Sequence, residues 1–294
     1  MAAAATRCFK DLHINAHKFS YVVNKLRSFC LSKGLVESYS QNRLNIVAAC
    51  EDPSTISVFN YAGLDFPLPQ TQQMAAEAVF MHNPRVPGYF TLGTSYRHEK
   101  NPVPGRHMLV FPMLEFEIHG GIDKLQTFEE EMLRYLGYKC RFDYGKWADV
   151  AKKYNTDDIT HKHENQIYKD GSTVFFLSHF PEHTSPFWNM KRNADGTADK
   201  IDVILSGHET IGSASRSCDV EQMRRNFLTI SNGEYAGILF KKFGKKRVMD
   251  EIEEFLSKPF IPRSGGGIGI TRLISSMEKE GLIPGDVLAN GEVD

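Results

Sequence analysis

"TLGTSYRHEKNPVPGRHMLVFPMLEFEIHG", Thr91–Gly120, decides the architecture of this 294-residue chain. Two aromatic, β-rich runs, "YFTLGTSYR" (89–97) and "HMLVFPMLEFEIHG" (107–120), flank a short segment carrying Pro102, Pro104 and Gly105. That pattern predicts an antiparallel hairpin. The charges in it are unusual. Arg97, His98 and Glu99 end the first run; Arg106 and His107 open the second; Glu115 and Glu117 stand inside it. Cross-strand charge pairs around a solvated turn would account for them modestly. A polyphosphate clamp accounts for them functionally. Arginine offers phosphate a permanently charged planar fork, histidine adds a donor, and Phe111 between them can stack a base.

Outward from the hairpin, "INAHKFSYVVNKLRSFCLSKG" (14–34) has helical apolar spacing and ends at Gly34. "TQQMAAEAVFMH" (71–82) and "DKLQTFEEEMLRYLGYK" (123–139) predict helices, the second ending near Gly137. "VEQMRRNFLTI" (220–230) and "RVMDEIEEFLSK" (247–258) predict two more. "RLNIVAACE" (43–51) and "TVFFLSHFP" (173–181) read as strands, and residues 146–166 as polar and mixed. Trp188–Ser215 reads as two strands joined by a turn at Asn193–Gly196. "GGGIGITRLISSMEKEGL" (265–282) is a glycine-rich strand or turn running into a helix. This predicts an α+β fold, an antiparallel sheet flanked by helices, without a regular βαβ series.

Hydrophobic residues make up 41% of the chain and the formal charge is −1, which suits one large domain and argues against a dedicated nucleic-acid surface. The five cysteines, Cys8, Cys30, Cys50, Cys140 and Cys218, form no CxxC pair. Reduced thiols in a cytoplasmic setting are expected, with no zinc site. No apolar run reaches membrane-spanning length, and the N-terminus does not read as a signal peptide.

Other groups carry chemistry. Asp202 and Glu209 lie seven residues apart, and a bulged or twisted strand would let both offer oxygens to Mg²⁺. Gly265, Gly266, Gly267 and Gly269 permit close backbone approach, either to a ligand or to neighbouring strands. Glu51 and Glu77 stand among apolar or small residues and, if buried, need a cationic partner or ligand. His13, His17 and His82 show no metal-ligand spacing.

The order of these signals resembles the class II aminoacyl-tRNA synthetase catalytic core. "SYRHE" looks like the start of motif 2, "RHMLVFPMLEFEIHG" like its second strand, and "GGGIGITRL" like motif 3. "QMAAEA" and "HETIGSASR" resemble segments of the asparaginyl and aspartyl enzymes, the asparaginyl ones above all. The likeness runs from about Lys10 to Leu273. It implies that Arg97 grips the α-phosphate of ATP, Glu99 contacts the adenine side, and Phe111 stacks on adenine. It also places His107 and Arg272 on the outer phosphates, Gly269 against ATP, and Asp202 and Glu209 on Mg²⁺. Arg97, Arg272 and Glu209 would form the catalytic set. Glu51 would receive the α-ammonium of the amino acid with help from Gln73, Arg216 its side-chain oxygen, and Glu77 a side-chain amide.

The chain departs from the pattern in places. Motif 1, "SKGLVESYSQ", has Gln41 where the class carries proline, and Val110–Phe111 replaces Glu-Phe. The reading is one catalytic domain over 1–294 with no anticodon-binding domain, so tRNA is not the expected acceptor, and a homodimer is expected from motif 1. The leading expectation is an aspartate–ammonia ligase that makes asparagine, AMP and pyrophosphate. One alternative is an asparaginyl-tRNA synthetase paralogue that activates asparagine or an analogue for tRNA or a small amine. Another is a non-catalytic sensor of amino acid or nucleotide. Glu77 opposes the first reading, because an open carboxylate repels aspartate's second carboxylate. On the sequence alone, Glu77→Lys should move preference toward aspartate.

Overall fold

The computed structural model describes residues 14–39, 46, 53–100, 102, 103 and 106–289. Glu51, Gln41 and, apart from Ile46, the strand expected over 43–51 lie outside them. Helix α1 (Ala16–Ser32) starts where the Asn15 side chain accepts from the His17 and Lys18 N–H groups at 3.0 and 3.1 Å. Its buried stripe is Val22, Val23, Leu26, Phe29 and Cys30. Strand β1 (Val36–Glu37), the hairpin β2 (Val58–Tyr61) and β3 (Leu64–Pro67), and helix α2 (Gln73–His82) follow. The opening stretch forms β4 (Gly88–Tyr96) and β5 (Val110–His119), antiparallel from Gly88↔Ile118 to Tyr96↔Val110. Next come α3 (Ile122–Leu136), β6 (Phe142–Lys146), α4 (Trp147–Tyr154), α5 (His161–Lys169) and β7 (Val174–Pro181). Then β8 (Thr197–Leu205), β9 (His208–Ser215), α6 (Val220–Thr229), α7 (Glu234–Phe243) and α8 (Lys245–Leu256) lead to β10 (Arg263–Gly269), α9 (Ile270–Lys279) and α10 (Gly285–Ala289).

Among the described residues, eight strands form one sheet in the order β1–β4–β5–β10–β9–β8–β7–β6. Every neighbouring pair is antiparallel except β1–β4 and β7–β6 at the two edges. Period-two alternation sorts the residues between its faces. Leu114, Phe116, Ile118, Ile201, Val203, Ile211 and Ile268 join α1, α3 and α9 in the larger core. The other face carries Glu115, Lys200, Asp202 and Gly212 toward a cavity, Glu117 into a buried pair with Arg216, and Ala198 and Ala214 into a second core with α6, α7 and α8. The glycines of β10 serve the sheet itself: a Cβ at Gly265 would lie 2.1 Å from the Phe116 carbonyl oxygen.

The structure departs from the expected elements in three ways. The turn at Asn193–Gly196 exists, with the Gly196 N–H bonded to the Asn193 carbonyl at 3.2 Å, but it precedes β8. Ser206–Gly207, with φ of 50° and 89°, joins β8 to β9. The segment 146–166 holds α4 and most of α5, short polar helices that gain stability by packing Trp147, Val150 and Ile167 against Leu177 and Ile204. Strands β2, β3 and β6 and helix α7 were also not anticipated.

Glu129 is a fully buried acid on the packed face of α3. Burial pushes its pKa from 4.5 up to about 8, against the pull of the Ser213 hydroxyl. The folded chain keeps this proton where the unfolded chain releases it. Its contribution to stability is therefore complete below pH 4.5 and is lost as the pH rises through about 8. We expect unfolding free energy to fall by roughly 1 kcal/mol per pH unit across that window, and Glu129→Gln to flatten the slope. Urea melts of both proteins at pH 5, 6 and 7 check this; equal slopes would refute it.

Candidate active site

The registers of β10 align side chains in rows across the sheet. Glu117, Gly265, Ala214 and Lys200 form one row, and Glu115, Gly267, Gly212 and Asp202 the next. A cavity of about 340 Å³ lies over the second row and reaches Lys200 of the first. Arg216 lines one end; Arg97, Glu99, Arg106, His107, Phe111, Gly269 and Arg272 line the other.

At the second end, the Arg97 N–H continues the hairpin ladder to the Leu109 carbonyl at 2.8 Å, and its guanidinium lies 5.9 Å from the Phe111 ring centroid. The Val103 N–H donates to His107 Nδ1 at 3.2 Å, which leaves Nε2 as the protonated nitrogen. Burial, with Arg106 and Arg272 nearby, depresses the His107 pKa despite Glu99, so the ring stays neutral at physiological pH. Arg272 Nη1 donates to the Glu209 carbonyl at 2.6 Å and stands 3.7 Å from its carboxylate. Burial opposes the Glu209 charge, but Arg272, Lys200, Arg97 and Arg106 outweigh it and hold the carboxyl below its ordinary pKa.

A bulge between Val203 and Ile204 brings Asp202 and Glu209 together over Gly212. A Cβ there would lie 3.3 Å from Glu209 Oε1 and 3.8 Å from Asp202 Oδ1, so a side chain would intrude between the two carboxylates. Two converging carboxylates are hard oxygen donors of the kind Mg²⁺ takes alongside phosphate and water. No group of three or more candidate ligands occurs among the described residues.

The first end is a buried charge lattice. Glu77 is fully buried and does not line the cavity. Arg263 Nε and Nη2 donate to its Oε2 at 2.8 and 2.5 Å. Gln73 Nε2 and Asn189 Nδ2 donate to its Oε1 at 2.8 and 2.7 Å, and Arg216 Nε lies 3.7 Å away. Burial works to raise its pKa, but Arg263 and Arg216, with the Gln73 bond, outweigh it and lower the pKa, so Glu77 is ionised and saturated. Arg216 donates through Nε and Nη2 to Glu117 at 3.1 and 2.7 Å. Burial pushes Glu117 up to about 7 despite that arginine. Glu115 accepts from the Thr71 hydroxyl and, at 2.6 Å, from the Gln72 N–H, fixing the turn into α2; burial raises its pKa too. Lys200 reaches into the cavity 3.3 Å from Asp202.

The structure thus gathers Arg97, Glu99, His107, Phe111, Asp202, Glu209, Gly269, Arg272, Gln73 and Arg216 around one cavity and holds Glu77 beneath it. Glu51 lies outside the described residues. Arg106 was read as part of the hairpin's phosphate clamp without a role of its own, and Lys200, Glu164 and Arg263 were missed. Alternation in "KIDVIL" carried a signal for Lys200, which shares a face with Asp202.

A family model, tRNA synthetases class II (D, K and N), matches residues 48–284. No curated protein sequence matches the chain. Among solved structures it is similar to asparaginyl-tRNA synthetase from Pyrococcus horikoshii complexed with asparaginyl-adenylate (TM-score 0.74, 19% identity, 89% of this chain and 64% of that one). It is also similar to Entamoeba histolytica asparaginyl-tRNA synthetase in complex with asparaginyl-adenylate (0.69, 18%, 90% and 63%) and aspartyl-tRNA synthetase (0.63, 19%, 88% and 54%). At these identities the likeness is one of fold, and the chain spans less than two thirds of each of those chains. No described helix is long and apolar enough to cross a membrane.

Proposed function

We propose that this chain, which belongs to the class II tRNA synthetases (D, K and N), is an adenylate-forming ligase that converts aspartate and ammonia to asparagine, with ATP cleaved to AMP and pyrophosphate. A β-carboxylate oxygen of aspartate attacks the α-phosphorus, and the bond to pyrophosphate breaks. Ammonia then attacks the acyl carbon, AMP leaves, and the surplus proton passes to solvent. Both first reactants are anions, so the protein's task is to align them and offset charge. Arg97 donates to the α-phosphate, Phe111 stacks on adenine with Glu99 at its edge, and His107 Nε2 and Arg272 hold the outer phosphates. Asp202 and Glu209 would hold Mg²⁺, which supplies positive charge against the phosphates. Val36 and Tyr39, exposed at the β1 edge, and Leu31, exposed in the last turn of α1, support the expected homodimer.

The observation that carries the choice of aspartate is the saturation of Glu77 by Arg263. An acid already bound by a guanidinium neither reads a substrate amide nor repels a carboxylate, while Arg216 and Lys200 remain at the cavity wall. Pyrophosphate–ATP exchange, run separately with aspartate and asparagine, tests this. Aspartate-dependent exchange, with AMP release upon adding ammonia, is expected. Exchange with asparagine alone would sink the ligase reading, and exchange with neither would point to a sensor.

Protonation of Glu117 sharpens the test. It faces Arg216 just past the end of β9, Arg263 on β10 and Glu77 on α2, and below pH 7 its neutral form leaves Arg216 with Glu77, 3.7 Å away and shared with Arg263, as its remaining acid, which favours an anionic substrate. KM for aspartate should therefore rise several-fold between pH 6 and 8, and Glu117→Gln should flatten the profile. A flat wild-type profile would remove Glu117 from substrate binding.

A further inference from the structure

We infer that Glu164 is a positioning residue for the phosphate end of the site, acting through Arg106 and the backbone of Glu209. This rests on the ATP reading above, although nothing in the motif pattern pointed to Glu164. It belongs to α5, in the segment read as polar and mixed. Its oxygens take both ends of the Arg106 fork, Oε2 from Nη1 at 3.0 Å and Oε1 from Nη2 at 2.7 Å. Oε2 also accepts the Glu209 N–H at 2.7 Å. One carboxylate therefore ties the hairpin loop to a residue of the Asp202–Glu209 pair.

Its anchorage is rigid. Thr160 and His163 form a capping box at the start of α5, and Ile167 is buried against β7 and β8. The same helix packs on the β8–β9 turn, where a Cβ at Gly207 would lie 3.1 Å from Asn165 Oδ1 and 3.2 Å from Tyr168 Cβ. Both carboxylate and guanidinium are mostly buried, with 10% and 12% of their side chains exposed, so the pair is not an ordinary surface bridge. Arg106 nonetheless lines the cavity, and the fork uses two of an arginine's five N–H donors. Glu164 thus presents Arg106 to polyphosphate and sets the depth at which Glu209 enters the site.

The two roles separate by substitution in the full-length chain. Glu164→Gln keeps an oxygen for the Glu209 N–H but loses the ion pair; Glu164→Ala loses both; Arg106→Ala loses only the arginine. Calorimetric titration with MgATP is expected to give Arg106→Ala and Glu164→Gln equal losses of about tenfold in affinity, and their double variant no further loss. Only Glu164→Ala should also raise the Mg²⁺ concentration for half-maximal exchange, several-fold. Lowered melting temperatures with wild-type affinity and Mg²⁺ dependence would show a merely structural residue and overturn the inference. Additive losses in the double variant would overturn it equally. If the wild-type chain binds no MgATP, the ATP reading falls, and this inference with it.

Discussion

A chain carrying Glu77→Lys is expected to lose its fold before any change of substrate can be observed. The side chain is fully buried, and its two oxygens receive Arg263, Gln73 and Asn189, with Arg216 close by. A lysine there would stand against two buried guanidinium groups, with Glu117, already bonded to Arg216, as the acid left among them. Removing one partner of a buried ion pair costs about 3–5 kcal/mol. An added like charge costs more, against a total stability of about 5–15 kcal/mol for an ordinary domain. The sequence alone pointed to a cleaner outcome, a shift toward aspartate, because it treats Glu77 as a reader of substrate. Solubility and thermal melts decide between these: a soluble variant with wild-type melting temperature and altered amino-acid preference would restore Glu77 to the reading surface. Glu77→Gln, which keeps the Asn189 donation to its oxygen, should be the milder variant.

Arg97→Ala is expected to lower the rate of pyrophosphate exchange by about 10²–10³-fold, the usual cost of deleting one preorganised donor aimed at developing charge. The loss should fall on kcat, because charge at the α-phosphorus grows toward the transition state. Folding should hardly change: the residue is only partly buried, and the Arg97 backbone bond to Leu109 does not depend on the side chain. A melting temperature near wild type with exchange reduced to that extent is the expected pair of results. Exchange within tenfold of wild type would place the main α-phosphate contact elsewhere, with Arg272 and Arg106 the next cations on that wall.

Much of this was legible without coordinates. The β4–β5 hairpin, the glycine strand leading into α9, and helices α1, α2, α3, α6 and α8 follow from periodicity, caps and turn residues. Helices α4 and α5 were not, because short polar helices carry little periodic signal and take stability from what they pack on. The Asn193–Gly196 motif drew the strand junction to itself because Asn, Asp and Gly are strong turn residues. Ser206–Gly207, which makes the junction, is a weaker signal set by the pairing of β8 with β9.

The sequence by itself determined which face of each strand a residue occupies and the order in which the charged motifs meet the sheet. Alternation is a property of two neighbouring residues, and it survives any arrangement of the rest. Only the tertiary structure decided which charges cancel. Glu77 and Arg263 are 186 residues apart, and Arg106 and Glu164 are 58 apart. Whether an acid reads a ligand or holds an arginine depends on what chain closure buries beside it. In a low-dielectric interior, that neighbour outweighs every local preference.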